Sequence, residues 1–250
     1  MNRETEHNMR SLEKLENGLK EFDLILTEAQ RLQFLSYYDL LIEWNEKMNL
    51  TAITDYDEVL IKHFLDSLSI VRAVDPGQLS AGAFRIVDIG TGAGFPGIPI
   101  KIVFPACEVV LVDSLNKRIR FLNTVIETLG LEHITAIHGR SEELAGKPEH
   151  REQYDLVVSR AVANLSTLSE YCIPFLKKGG LFVSYKSREA ERELKDADRA
   201  IRLTGGIPEQ ISQFMLPGTD YDRCLVSIRK KNSTPKKYPR KAGTPAKEPL

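Results

Sequence analysis

No apolar run in this 250-residue sequence approaches the roughly 20 residues needed to span a bilayer, so no membrane-spanning helix is expected. The opening Met1-Asn2-Arg3-Glu4-Thr5-Glu6 is polar, with no apolar stretch behind it, which argues against a secretory signal. Cysteine is scarce. Cys107, Cys172 and Cys224 are odd in number and far apart, a pattern that fits neither a disulfide framework nor a zinc motif. Each lies in an apolar pattern, where a reduced thiol reads as a small buried hydrophobe and the cytoplasm as its compartment. No metal site is expected.

What the chain does have is enough apolar residue, 42%, to bury a sizeable core in one large domain with appendages. Its net charge of −1 hides an asymmetry. From Arg229 to Leu250 eight positive residues face one negative, so this tail carries +7 and residues 1–228 carry −8. A basic extension on an acidic body suggests either a polyanionic partner or a solubilising tail. Pro235, Pro239, Pro245 and Pro249 stand there among Lys, Gly, Ser and Thr, and the composition of 231–250 predicts disorder.

Residues 1–22 read as a weak, mobile helix. A stronger helical pattern follows Thr27, a suitable N-cap, with Leu32, Leu35, Tyr38, Leu41, Ile42 and Asn45 on one face. A second helix is predicted from Asp57, with Val59, Leu60, His63, Phe64, Ser67, Leu68 and Val71 inward. Residues 1–80 thus form a helical extension, predicted to pack on the domain of residues 81–230 and ended by Asp75-Pro76-Gly77 and Ala81-Gly82. From Phe84 short apolar strands alternate with helices. The predicted strands are Phe84–Ile89, Val109–Val112, His133–Ile137, Tyr154–Val158 and Gly180–Tyr185. The predicted helices are Phe95–Val103, Leu115–Leu129, Glu142–Leu144, Leu165–Leu176 and Glu189–Leu203. Such alternation means an α/β fold with a parallel sheet covered on both faces. Glu209–Phe214 and Cys224–Ile228 have no helix between them and should close the sheet as an antiparallel pair. Five parallel strands plus a terminal hairpin is the methyltransferase version of the Rossmann-like architecture rather than the dinucleotide version.

Phe84–Ile89 runs into Gly90-Thr91-Gly92-Ala93-Gly94-Phe95-Pro96-Gly97, where glycines permit a tight strand-to-helix turn and let a ligand lie against bare backbone. Gly92 through Gly97 also satisfies the G-x-G-x-x-G string of nicotinamide enzymes, which alone discriminates weakly. Asp88 shifts the balance, because a carboxylate there would repel a pyrophosphate but could accept from a cationic amino-acid ligand. The cofactor expected is therefore S-adenosylmethionine. Asp113, at the end of the second strand, can take ribose hydroxyls as donors. Ser141 and Glu142 follow the third strand, where they could bond an adenine edge or cap a helix. Arg160 ends the fourth strand and could contact the cofactor carboxylate or a nucleic acid. No Asn-Pro-Pro-Tyr-like sequence follows that strand, which argues against an exocyclic amine as acceptor, and no Pro-Cys pair supplies a cytosine-C5 nucleophile. A ring nitrogen such as guanine N7 needs no base, so alignment and desolvation could supply most of the catalysis and no acid/base residue is expected.

Trp44-Asn45-Glu46-Lys47-Met48-Asn49-Leu50-Thr51-Ala52-Ile53-Thr54, His63-Phe64-Leu65-Asp66-Ser67-Leu68, Val87 through Pro99, and Asp113 through Arg118 together resemble the bacterial small-subunit ribosomal RNA guanine-N7 methyltransferases of the glucose-inhibited-division B family. The likeness runs from about residue 25 to the end and includes Thr234 through Lys241. It implies a class I S-adenosylmethionine-dependent methyltransferase fold and methylation of N7 of guanine 527 in the 530 loop of 16S ribosomal RNA. The partner would be that RNA or the 30S subunit, and the enzyme a monomer. The family's cofactor contacts fall on Gly90, Phe95, Ser141, Glu142 and Arg160, while Asp113 is added from its strand position. Tyr185-Lys186-Ser187 carries serine where the family pattern has glycine. Asn49, Thr51, His63 and Asp66 on the extension could position the base or RNA backbone, joined by Lys117, Arg118, Arg140, Lys186 and Arg223. His63 reads equally well as a hydrogen-bonded core histidine.

Two rival readings stay open on the sequence. A nicotinamide-dependent oxidoreductase predicts an extra helix-strand crossover and no antiparallel hairpin after Leu203. A non-catalytic ribosome-associated RNA-binding protein would have kept only a relic cofactor pocket, against which the intact Asp88–Gly94 loop, Asp113 and Arg160 argue.

Overall fold

The computed structural model describes residues 10–187 and 189–250. The strands among them form one sheet: β1 (Arg85–Ile89), β2 (Glu108–Asp113), β3 (Ile134–His138), β4 (Tyr154–Arg160), β5 (Leu176–Lys186), β6 (Gly206–Met215) and β7 (Asp222–Lys230). The order is β3-β2-β1-β4-β5-β7-β6. Pairing is parallel from β3 to β5, and β7 runs antiparallel to both β5 and β6. The terminal hairpin removes the oxidoreductase reading. Strand order reverses between β1 and β4, and in open sheets of this kind the ligand crevice lies at the carboxyl ends of the strands at that switch point.

Ahead of the sheet come α1 (Glu13–Lys20), α2 (Glu28–Met48) and α3 (Tyr56–Val59). A π-helical turn (Leu60–Leu65), α4 (Asp66–Leu68), a 3₁₀ turn (Ser69–Arg72) and α5 (Pro76–Ser80) follow. Within the sheet domain lie α6 (Gly97–Val103), α7 (Asn116–Thr128), α8 (Ser141–Leu144), α9 (Leu165–Cys172) and α10 (Ala190–Leu203), and α11 (Thr244–Lys247) closes the chain. Ile86 of β1 joins one apolar cluster while Val87 and Ile89 join another, the alternation of a strand buried on both faces. The first cluster continues through α6 and α7 into the extension, and the second contains α9 and α10.

Several helix expectations need correction, among them the single helix from Asp57, which is divided into α3, the π-helical turn, α4 and the 3₁₀ turn. The weak, mobile helix over 1–22 lies partly outside the described residues. Its described part is a packed helix, because Leu12, Leu15 and Leu19 recur at helical spacing and are buried. On α2 the covered surface is broader than the single stripe read from the sequence. Phe34, Tyr37 and Leu40 are buried while Leu32 is exposed, because the helix lies between the rest of the extension and the sheet domain. Its Gln30 side chain, which completes the Thr27 capping box, also donates to the carbonyl of Ile102 (2.9 Å). The helix predicted from Phe95 begins at Gly97, with Pro96 as its N-cap. The helix predicted over Leu165–Leu176 stops at Cys172, and a 3₁₀ turn containing Pro174 leads directly into β5.

The largest departure is the tail, which is ordered where disorder was expected. Thr234 is buried, with its hydroxyl donating to the carbonyl of Thr204 (2.6 Å) and its N–H to Glu152 (2.7 Å). Tyr238 is buried, and Arg151 donates to the carbonyls of Thr234 (2.8 Å) and Tyr238 (3.0 Å). Arg240 binds the buried Glu170 at 2.8 Å. The prolines fix φ and so lower the entropy lost on docking, while body side chains satisfy the backbone that a free tail would give to water.

Candidate functional site

The glycine loop leaves the carboxyl end of β1 with Gly90 at φ +71°, Gly92 at +62° and Gly94 at +96°, a region that glycine enters without the Cβ penalty. A Cβ on Gly90 would come within 2.4 Å of Val162 Cγ2, and one on Gly97 within 2.4 Å of Leu111 Cδ2. Asp88 is fully buried beneath this loop. One of its carboxylate oxygens, Oδ2, accepts from the Thr91 hydroxyl (2.6 Å) and the Gly97 N–H (2.9 Å), while Oδ1 has no partner. Burial pushes the Asp88 carboxyl up to about 6, against the pull of these donors. Tyr37 of α2 donates its hydroxyl to the carbonyl of Ala93, so the extension braces the loop from below.

Two clefts flank the loop. The first, about 180 Å³, is lined by Gly90, Asp113, Gly139, Arg140, Ser141, Glu142, Val162 and Tyr171, among others. Asp113 accepts from the N–H groups of Gly92 (3.0 Å) and Leu115 (2.9 Å) and from Arg118 (3.0 Å). Those bonds occupy about three of a carboxylate's roughly four lone-pair positions and leave capacity for a further donor. The Ser141 hydroxyl donates to Glu142 Oε2 (3.2 Å), and both residues are buried.

The second cleft, about 420 Å³, is lined by Lys62, His63, Asp66, Arg160, Ala161, Tyr185, Lys186, Ser187 and Arg223. Its centre is the buried Asp66, which holds Arg160 through Oδ2 (2.6 Å) and Arg223 through Oδ1 (2.7 Å). Arg160 also donates to the Lys62 carbonyl (3.2 Å) and, at 3.3 Å, to His63 Nδ1. A guanidinium only donates, so Nδ1 must accept. Nε2 then carries the proton and donates to Thr51 Oγ1 (2.8 Å). The His63 ring stacks on Phe95 (4.4 Å, 16°), and burial first, then Arg160, lower its pKa to about 3. His63 is therefore neutral at ordinary pH. It sits in the π-helical turn, whose extra residue per turn rotates the following side chains, a distortion common at functional sites.

The fold thus gathers Gly90, Asp113, Ser141 and Glu142 in one cleft and His63, Asp66, Arg160, Lys186 and Arg223 in the other. Thr51 stands behind His63, Phe95 beneath it, and Arg118 against Asp113. Lys186 is drawn to Glu193 (2.6 Å) and the Ala163 carbonyl (2.9 Å). Asn49 lines neither cleft. It ends α2 in the left-handed conformation (φ 50°), a place that asparagine tolerates better than most residues, which is a structural role. Lys117 donates to the carbonyl of Met48 (3.4 Å), so it ties α7 to the end of α2. Missed in the sequence were Val162 and Tyr171, which line the first cleft. Val162 lies two residues past Arg160, where the carboxyl end of β4 gave a usable signal. Tyr37 gave none, since an aromatic within a helical stripe does not say that its hydroxyl reaches a loop. The three cysteines are buried, and burial raises each thiol, Cys107 and Cys224 to about 11.

The family model for rRNA small subunit methyltransferase G matches residues 30–222. The chain is 53% identical over 233 residues to ribosomal RNA small subunit methyltransferase G of Lachnoclostridium phytofermentans, covering 93% of this chain and 95% of that protein. It is 51% identical over 240 residues to the Staphylococcus aureus protein of the same name, covering 96% and 98%. Among solved structures, similarity in fold extends to a mutant of MtNAS (TM-score 0.54, 16% identity, 82% of this chain and 75% of that one). It extends also to a geranyl diphosphate methyltransferase (TM-score 0.50, 14% identity, 66% and 76%). On the family match and these relatives, the chain belongs to the rRNA small subunit methyltransferase G family.

Proposed function

We propose that the protein transfers a methyl group from S-adenosylmethionine to N7 of guanine 527 in the 530 loop of 16S ribosomal RNA, as a cytoplasmic monomer acting on that RNA or the 30S subunit. The observation that carries this reading is the second cleft at the carboxyl ends of β4 and β5, in which the titratable groups are already engaged. Asp66 is held by two arginines, His63 is neutral, Lys186 faces Glu193, and the Tyr185 hydroxyl donates to the Ser67 carbonyl (2.6 Å). Such a cleft suits a nucleophile that needs no base. Guanine N7 has an in-plane lone pair at neutral pH, so orientation and exclusion of water would lower the barrier.

The residues of the first cleft fit the cofactor. Gly90 leaves room that any Cβ would fill, Asp113 retains acceptor capacity for ribose hydroxyls, and Ser141 with Glu142 offers polar groups to an adenine edge. The orphaned Asp88 Oδ1 is the acceptor that a cationic amino group would satisfy. S-adenosylmethionine supplies a methyl group activated on a sulfonium, so the protein needs only to present an acceptor. Arg160, placed among the cofactor contacts by the resemblance, lines the second cleft rather than the first, and there, with Arg223 and fixed by Asp66, it would hold the acceptor base or its phosphate.

A pH dependence follows from Asp88. With its pKa near 6, the carboxyl is ionised above that pH and protonated below it. Pairing with an ammonium requires the ionised form, so affinity for S-adenosylmethionine should fall as pH drops below about 6, by up to roughly tenfold per unit. Calorimetric titrations between pH 5 and 8 test this, and Asp88→Asn should flatten the profile. A profile as steep in that variant would assign the titration to another group.

RNA affinity should depend on salt through the tail. Lys236, Lys237, Lys241 and Lys247 are exposed and form no ion pair among the described residues, while Arg240 is paired with Glu170. Because the tail is packed, neutralising these four lysines to glutamine is a cleaner test than deletion. The slope of log affinity against log salt should become shallower by roughly 0.7–0.9 for each phosphate that the variant no longer neutralises. An unchanged slope would remove the tail from the RNA interface. The reaction itself is tested by transfer of radiolabelled methyl from S-adenosylmethionine to 30S particles lacking the modification, followed by mapping of the base. Label on a single guanine N7 in the 530 loop is expected, and label elsewhere or nowhere would overturn the reading.

A further inference from the structure

We propose that the C-terminal segment 234–248 is a working part of the cofactor site, a strap that positions the Glu142 carboxylate and is anchored by Arg240. The inference rests on the reading that the cleft beside Gly139–Glu142 receives the adenosine portion of S-adenosylmethionine. Glu142 lines that cleft, yet its Oε1 faces the strap and accepts the Gly243 N–H at 2.8 Å, while Oε2 accepts from Ser141. A glutamate side chain has several rotatable bonds and, held at one oxygen only, would sample several rotamers. Gripped at both oxygens, it presents one arrangement to the cleft before any ligand arrives, and the ordering cost is not charged to binding.

The strap is held on either side of Gly243 by a single helix. On one side the Arg240 guanidinium meets Glu170 of α9 in a two-pronged pair, Nε to Oε1 at 3.0 Å and Nη2 to Oε2 at 2.8 Å. On the other the Pro245 carbonyl accepts from the Thr167 hydroxyl, also on α9, at 3.1 Å. Between them Gly243 adopts φ +83°, which turns its N–H towards Glu142 and which a residue with a Cβ would resist. The same helix contributes Tyr171 to the cleft wall, so anchor and wall are one rigid piece. Glu170 is almost wholly buried, and without Arg240 its charge would be left unpaired. The docked strap is therefore the state that the body requires. Arg240 acts on the cofactor only through Gly243 and Glu142, which makes it a positioning residue.

The test measures S-adenosylmethionine affinity by calorimetry, and kcat with KM for each substrate at high salt. It uses the full chain, a chain ending at Pro239, and the variants Arg240→Ala, Arg240→Lys, Thr167→Val and Glu142→Ala. Arg240→Ala and the shortened chain should raise Kd and KM for S-adenosylmethionine by roughly three- to tenfold, the worth of one hydrogen bond. The kcat at saturating cofactor and KM for 30S particles should stay within about twofold, a split that general unfolding would not produce. Arg240→Lys should recover part of the loss. Thr167→Val, which leaves no charge unpaired and so tests the anchor even if Arg240→Ala fails to fold, should give a smaller rise. If Glu142→Ala weakens cofactor binding while the strap variants do not, the strap is overturned and the cleft reading stands. If Glu142→Ala leaves affinity unchanged as well, the cleft is not the adenosine site and the proposal falls with it.

Discussion

Gly90→Ala is expected to reduce methyl transfer by roughly 100-fold, the order of loss that small misplacements at a reacting centre produce. Two effects act at this position. Alanine at φ +71° costs about 1 kcal/mol in backbone strain, and its Cβ would lie 2.4 Å from Val162 Cγ2. Val162 is partly exposed and can give way, but it lies on the wall of the first cleft, next to the Arg160 and Ala161 that line the second. Relief of the clash therefore displaces a side chain in the wall of the first cleft. Gly92→Ala separates the two effects. Gly92 has a similar φ of +62°, but a Cβ there meets nothing within 4 Å, so this variant carries the strain without the clash. Its stability in urea should drop by the strain alone, less than that of Gly90→Ala, and its kcat/KM should fall far less. A second change, Val162→Ala, should return part of the activity to Gly90→Ala. Equal activity in the two glycine variants would show that the space above Gly90 is not used.

The sheet was legible because its strands are apolar runs long enough to be buried on both faces, and because no helical pattern separates Glu209–Phe214 from Cys224–Ile228. The Asp88–Gly94 loop was legible for a similar reason: its glycines are local, and the positive φ values that they serve are local too. What escaped was whatever depends on a distant partner. The tail reads as disordered from its prolines and lysines, yet its order comes from Glu142, Glu152, Arg151 and Glu170, about 70 to 100 residues upstream. Composition cannot register those bonds. The π-helical turn escaped differently. Leu60, Phe64 and Leu68 keep an ordinary three- to four-residue spacing, so nothing in the pattern signals the extra residue beside His63. Thr51, His63 and Asp66 were picked out through family resemblance, and the structure joins them in one network through Arg160. Asp66 and His63 hold or face Arg160, whose N–H fixes the His63 tautomer, and Thr51 accepts from His63 Nε2.

Asp66→Ala is the second large effect expected, on stability and turnover together. Removing one partner from a buried ion pair costs about 3–5 kcal/mol, because the other charge is left without compensation. Here the stranded groups are two guanidiniums, Arg160 and Arg223, whose side chains retain some access to water, so the lower end, about 3 kcal/mol, is expected. Urea unfolding should show a lower midpoint at unchanged slope. Turnover should fall by more than the folded fraction explains, since Arg160 would lose its strongest bond and with it the geometry that keeps His63 Nδ1 an acceptor. Asp66→Asn retains the shape and one acceptor oxygen, so its loss should be smaller on both scales. Affinity for S-adenosylmethionine is the discriminating readout. The cleft of Asp113, Ser141 and Glu142 does not include Asp66, so Kd for the cofactor should change by no more than about threefold, less than the worth of a single hydrogen bond to a charged group. KM for 30S particles should carry the effect instead. If cofactor affinity falls as far as turnover, then Arg160 serves the cofactor rather than the acceptor base, and the division of labour between the two clefts must be redrawn with the arginine on the other side.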